Sequence, residues 1–90
     1  MPTKSITLPK GNINQETIIR TTAELGQLLR AKRKQHALTQ MDIAGLGNTG
    51  NRFIVELESG KPTVQLQKAL DIMALLGLEV VVRAKGTSVR

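Results

Sequence analysis

Two tripeptides constrain this chain more than anything else in it. Leu38-Thr39-Gln40 is followed, eighteen residues on, by Glu58-Ser59-Gly60. Between them Ile43, Ala44, Leu46, Gly47, Ile54 and Leu57 recur at the spacing of two short helices joined by a tight turn. Thr39 is a good N-cap for the first helix, which runs through Met41, Ile43 and Ala44 to about Leu46. The turn is Gly47-Asn48-Thr49-Gly50, whose two glycines and asparagine tolerate the positive φ a sharp helix-to-helix turn needs. The second helix spans about Asn51 to Ser59. Gly60 stops it and Pro62 prevents its continuation.

The flanks extend the pattern. Thr21 and Glu24 fit a capping box, and Leu25, Leu28 and Leu29 then recur at helical spacing to about Gln35. The last turns of that helix carry Arg30, Lys32, Arg33 and Lys34, cations that suit the negative end of the helix dipole. A further helix is expected after a cap at Thr63, with Leu66, Ala69, Leu70, Met73 and Leu76 as its buried stripe and Gly77 as its end. The period then changes. Leu78-Glu79-Val80-Val81-Val82-Arg83 is β-branched and strand-like. Residues 1–20 read as a partly ordered arm broken by Pro2, Pro9 and Gly11, with a short strand at Ile6 and Leu8 and with Ile18 and Ile19 tucked against the downstream chain. Residues 21–77 read as one helical domain, 78–83 as a dimerisation strand and 84–90 as a flexible tail.

Composition narrows the function classes. Ninety residues suffice for one domain, and a single aromatic, Phe53, leaves the core to aliphatic side chains. Thirteen Lys and Arg against seven Asp and Glu give a net charge of +6. That balance favours a polyanionic partner, or reflects a solvated basic surface. With no cysteine and a lone His36 lacking a ligand set, neither a disulfide framework nor a metal site is expected, and no cofactor is implied. His36 has no evident acid or nucleophile beside it and no glycine loop cradles phosphate, so an enzyme is not expected. No apolar run approaches the ~20 residues that span a bilayer, and Met1 to Lys10 lacks the apolar stretch of a signal peptide. The expectation is a cytoplasmic protein with no membrane role.

On a helical wheel, Phe53, Ile54 and Leu57 fall to one side of the second short helix, and Asn51, Arg52, Val55 and Glu56 to the other. A polar face is ordinary in a surface helix. The residue types carry more. Asn pairs in bidentate fashion with adenine, Arg with guanine, and Glu accepts from cytosine N4. In a helix-turn-helix, the start of the second helix enters the major groove. Asn51, Arg52, Val55 and Glu56 are therefore the expected base readers. Gln40, in the first turn of the preceding helix, and Lys61, just past Gly60, are the expected phosphate contacts.

Leu38-Thr39-Gln40, Ala44, Ile54, Leu57, Glu58 and Gly60 resemble the Xre/Cro-type helix-turn-helix family, over about residues 21–77. The resemblance implies a mainly α, Cro/lambda-repressor-like bundle of four to five helices. It also implies that Arg33 pairs with Glu58 as a structural ion pair. The chain departs from the family at Gly50, where Ser or Thr usually caps the helix, and at Phe53, where a small polar residue is usual. Phe53 is expected to pack, or to touch a thymine methyl. The run from Phe53 to Leu66, then Leu76-Gly77-Leu78 and the valines, is similar to HipB-like antitoxins. That likeness implies a homodimer joined through the C-terminal strand, operator DNA as ligand, and a HipA-like Ser/Thr kinase toxin as partner. An unpaired strand also argues physically for a twofold partner: Leu78, Val80 and Val82 would cover the helices while Val81 faces outward. Pairing with Ile6 and Leu8 of the same chain is the alternative. The function implied is a sequence-specific repressor of its own operon acting as an antitoxin. A stand-alone or phage-type regulator, or a subunit acting mainly by protein interaction, are the alternatives.

Overall fold

The computed structural model describes residues 16–86. The expected strand at Ile6 and Leu8 lies outside them. Among the described residues four helices occur in order: α1 (Thr22–Gln35), α2 (Gln40–Leu46), α3 (Asn51–Ser59) and α4 (Leu66–Leu75). They enclose an aliphatic core of Leu29, Ile43, Ala44, Ile54, Leu57, Ala69, Ile72, Met73 and Leu76. Each fully buried Leu or Ile contributes about 1.5–3 kcal/mol of transfer free energy.

The helix starts obey local chemistry. Thr21 Oγ1 accepts from the Glu24 N–H at 3.1 Å. Glu24 reaches back one residue further than a capping box requires, accepting from the Arg20 N–H at 2.6 Å. At α2 the box is complete: Thr39 Oγ1 accepts from the Asp42 N–H (3.0 Å) and the Asp42 carboxylate from the Thr39 N–H (2.8 Å). The Thr39 backbone N–H first, and then the Thr39 side chain, hold the exposed Asp42 carboxyl below its ordinary range. The carboxylate half of the box therefore stays intact at neutral pH, and its contribution is lost as pH falls through that lowered value.

All four helices end alike, and in the α2–α3 turn the structure departs from the sequence reading. Each closes with a pair of hydrogen bonds around one left-handed residue. Those residues are Ala37 (φ 57°), Asn48 (φ 53°), Gly60 (φ 86°) and Gly77 (φ 79°). At α4, for example, the Leu78 N–H bonds the Met73 carbonyl (2.9 Å) and the Gly77 N–H that of Ala74 (3.0 Å). In the α2–α3 turn it is Asn48 alone that takes positive φ, not Gly47 or Gly50. Gly47 serves packing instead: a Cβ there would lie 2.7 Å from Ile72 Cδ1.

Four further expectations are corrected. The cap of α4 is Gln65, not Thr63, because Pro62, Thr63 and Val64 form a turn that lets Val64 pack on the core. Leu66 is 69% exposed, and Ile72 takes its place, since Ala69, Ile72, Met73 and Leu76 make the inward-facing stripe. Of the Ile18-Ile19 pair, Ile19 is half-buried while Ile18 lies exposed. No β-strand forms among the described residues, and residues 78–84 have no regular structure. Leu78 packs against the core, as expected. Val80, Val81 and Val82 are all exposed, Val82 by 93%, so neither Val80 nor Val82 covers the helices within one chain. A ladder needs a second strand, and the described residues supply none.

Candidate nucleic-acid interface

The site rests on a buried polar joint. Arg33, near the end of α1, donates from Nε to Glu58 Oε2 (2.6 Å) and from Nη2 to Glu58 Oε1 (3.0 Å). Its third nitrogen, Nη1, donates to the Leu38 carbonyl at 2.7 Å. The two side chains are 8% and 6% exposed. One guanidinium thus ties α1 to α3 and holds the loop that launches α2. The bond to Glu58 raises the Arg33 pKa above its ordinary value against the opposing effect of burial, so the group is cationic throughout.

Gln40 joins this network. Its Nε2 donates to Glu58 Oε1 at 3.1 Å, which turns a residue expected on phosphate toward the ion pair. Beside it, Arg30, Lys34, Thr39 and Gln40 line an open hollow where α1 meets α2. The cations at the end of α1, explicable by the helix dipole alone, are thereby brought alongside the first turn of α2.

The outer face of α3 presents Asn51, Arg52 and Val55 to solvent, with Glu56 half-buried between them and the body of the domain. Arg52 Nε donates to Glu56 Oε2 at 3.2 Å, and Lys61 Nζ donates to the same oxygen at 3.1 Å. Lys61 arrives there because the turn at Gly60 bonds its N–H to the Glu56 carbonyl (3.0 Å), folding it back over α3. Lys61 first, then Arg52, holds the Glu56 carboxyl below its ordinary range. Phe53 packs against the core, with Lys68 Nζ 5.6 Å from the ring centroid. Gly50 leaves α3 without a side-chain cap.

The structure therefore brings together Arg33, Glu58 and Gln40 in one cluster and Arg52, Glu56 and Lys61 in another. It leaves Asn51 and Val55 exposed, and Leu78 apart from the three valines at 80–82. Sequence reasoning missed the Gln40–Glu58 link, the Arg33–Leu38 bond and the double pairing at Glu56. The Arg52–Glu56 part was readable as an i, i+4 pair. The Lys61 part was not, because it depends on the backbone reversal at Gly60. Among the described residues no cluster of His, Cys, Asp or Glu could hold a metal ion. Among the described residues no helix is long and apolar enough to cross a membrane.

The fold is shared with solved HipB structures. A HipB variant in complex with an O2 20mer superposes with a TM-score of 0.72, covering 79% of this chain and 99% of that one at 18% identity. A HipA–HipB–O2–O3 complex and HipB with an O4 20mer each give 0.71, with 78% and 99% coverage at the same identity. No family model matches. In sequence, an uncharacterized HTH-type transcriptional regulator of Sinorhizobium fredii, y4mF, is 44% identical over 68 residues, spanning 76% of this chain and 90% of that protein. With that identity over most of both chains, the chain belongs to the HTH-type transcriptional regulators.

Proposed function

We propose that this chain is a dimeric repressor that binds operator DNA through the outer face of α3 and serves as antitoxin to a HipA-like Ser/Thr kinase encoded beside it. The observation that carries the DNA reading is the exposed row Asn51, Arg52 and Val55, with Glu56 beside it, on the second helix of the motif. The buried Arg33–Glu58 pair holds that helix rigidly to α1. In this reading Asn51, Arg52, Val55 and Glu56 meet base edges. Gln40, once its amide leaves Glu58, and Lys61 meet phosphates, with Arg30 and Lys34 of the neighbouring hollow adding positive field. The HipB structures with DNA and with HipA support the operator and the kinase partner through fold alone. A gene for a kinase-like protein next to this one favours the antitoxin, and its absence favours a stand-alone regulator.

The test is a gel shift at fixed salt. Arg52→Ala should cost about 1–3 kcal/mol of operator binding and relax preference at one base pair. Gln40→Ala should weaken all sequences more evenly. If neither variant changes binding, α3 is not the reading face.

Dimerisation through residues 78–82 is supported by three exposed valines in succession, an apolar edge that a second copy would cover. The double change Val80→Lys and Val82→Lys should convert the protein to a monomer in analytical ultracentrifugation and weaken operator binding by more than tenfold. A variant that remains dimeric removes this segment from the interface.

A further inference from the structure

Three side chains on the exposed flank of α3 are organised around a single oxygen. Glu56 Oε2 receives Arg52 Nε from one turn earlier and Lys61 Nζ from beyond the helix end. Their exposures are unequal: the Glu56 side chain is 27% exposed, Lys61 46% and Arg52 89%. The carboxylate is thus the seated member, and the cations are the ones free to swing away. Two of the cations that would face DNA are neutralised down to a net of +1 before any DNA arrives.

That arrangement has a consequence for recognition. Non-specific binding to duplex DNA draws on cations that replace counterions on phosphates. A cation already paired with a carboxylate gains less by moving to a phosphate, because the abandoned carboxylate then faces the same polyanion. On a matched site the balance differs: a base-edge amino group can take the Glu56 oxygen while Arg52 takes a guanine edge. We propose that Glu56 is the specificity-determining residue of this face, withholding Arg52 and Lys61 from phosphates on unmatched DNA and releasing them where a base-edge donor replaces them. This rests on α3 being the DNA-reading helix. It departs from a simple base contact in assigning Glu56 its larger effect on the wrong sequences rather than the right one.

The experiment compares wild type, Glu56→Gln and Arg52→Ala on two duplexes. One is recovered by repeated selection of a random-sequence library on the wild-type protein; the other is its scrambled counterpart. Glu56→Gln should keep the wild-type thermal midpoint closely, since exposed pairs add little to stability. It should bind the scrambled duplex about tenfold tighter, with the slope of log K against log salt steeper by about one for each cation freed per subunit. The ratio of selected to scrambled affinity should fall accordingly. Unchanged affinity and salt slope on the scrambled duplex overturn the proposal, and a loss confined to the selected duplex reduces Glu56 to an ordinary base contact. If Arg52→Ala behaves as wild type on both duplexes, the assignment of α3 as the reading helix falls as well, which separates the two failures.

Discussion

Replacing Gly26 by alanine should lower stability by about 2–3 kcal/mol, equivalent to a fall of about 10–20 °C in thermal midpoint for a domain of this size. Gly26 lies inside α1, where alanine is ordinarily the better helix former by about 1 kcal/mol. The expected sign is reversed by what lies opposite. A Cβ on Gly26 would sit 2.6 Å from the Leu57 carbonyl oxygen and nearer still to that of Glu58. Both are backbone atoms of α3, so no side-chain rotation relieves the clash and the helices must separate. The comparison that isolates this effect is Gly45→Ala. Gly45 lies in α2, and a Cβ there would meet nothing within 4 Å. That variant should gain up to about 1 kcal/mol. Thermal unfolding of both proteins by circular dichroism checks the pair. A stable Gly26→Ala variant would show that α1 and α3 are not in such close contact.

The second large effect is expected at the buried ion pair. Arg33→Ala should cost about 3–5 kcal/mol, because it leaves the Glu58 carboxylate 6% exposed with its main partner removed. For 90 residues the whole folding free energy is roughly 5–13 kcal/mol, so this one change removes a large share of it. Glu58→Ala should cost a similar amount by stranding the guanidinium. It also frees Gln40, whose amide donates to Glu58. The double variant Arg33→Met, Glu58→Leu should recover much of the loss, since an apolar pair of similar bulk avoids desolvating two charges. Urea unfolding of the three variants measures this. If the double variant is as unstable as either single one, the Leu38 and Gln40 contacts hold the joint and the charge pair does not.

Most helices were legible because their signals are local. Thr21, Thr39, Gly60 and Gly77 act on backbone groups within four residues, and α1, α2 and α3 begin and end within a residue of where those signals put them. The errors share another character. Thr63 is as good a cap as Thr39 in isolation, but the packing of Val64 delays α4. Leu66 and Ile72 are equally apolar, and the orientation of α4 decides which is inside. Ala37 adopts φ 57°, a conformation its type disfavours, because Arg33 holds the next carbonyl from within the fold. The pairing of Arg33 with Glu58 was expected from family resemblance, not from spacing. Residues 25 apart carry no local signal of contact.

From its sequence alone this protein determined where its chain would coil, which faces would be apolar and that the motif between Leu38 and Gly60 would be two helices and a turn. Those properties arise from hydrogen bonds and side-chain periodicity over a few residues. Only the tertiary structure decided that Gly26 must be glycine, that Gln40 turns inward to Glu58, and that Arg52 and Lys61 converge on one oxygen of Glu56. Each of these depends on the distance between elements remote in sequence. Close packing sets that distance to within tenths of an ångström, and no periodicity encodes it.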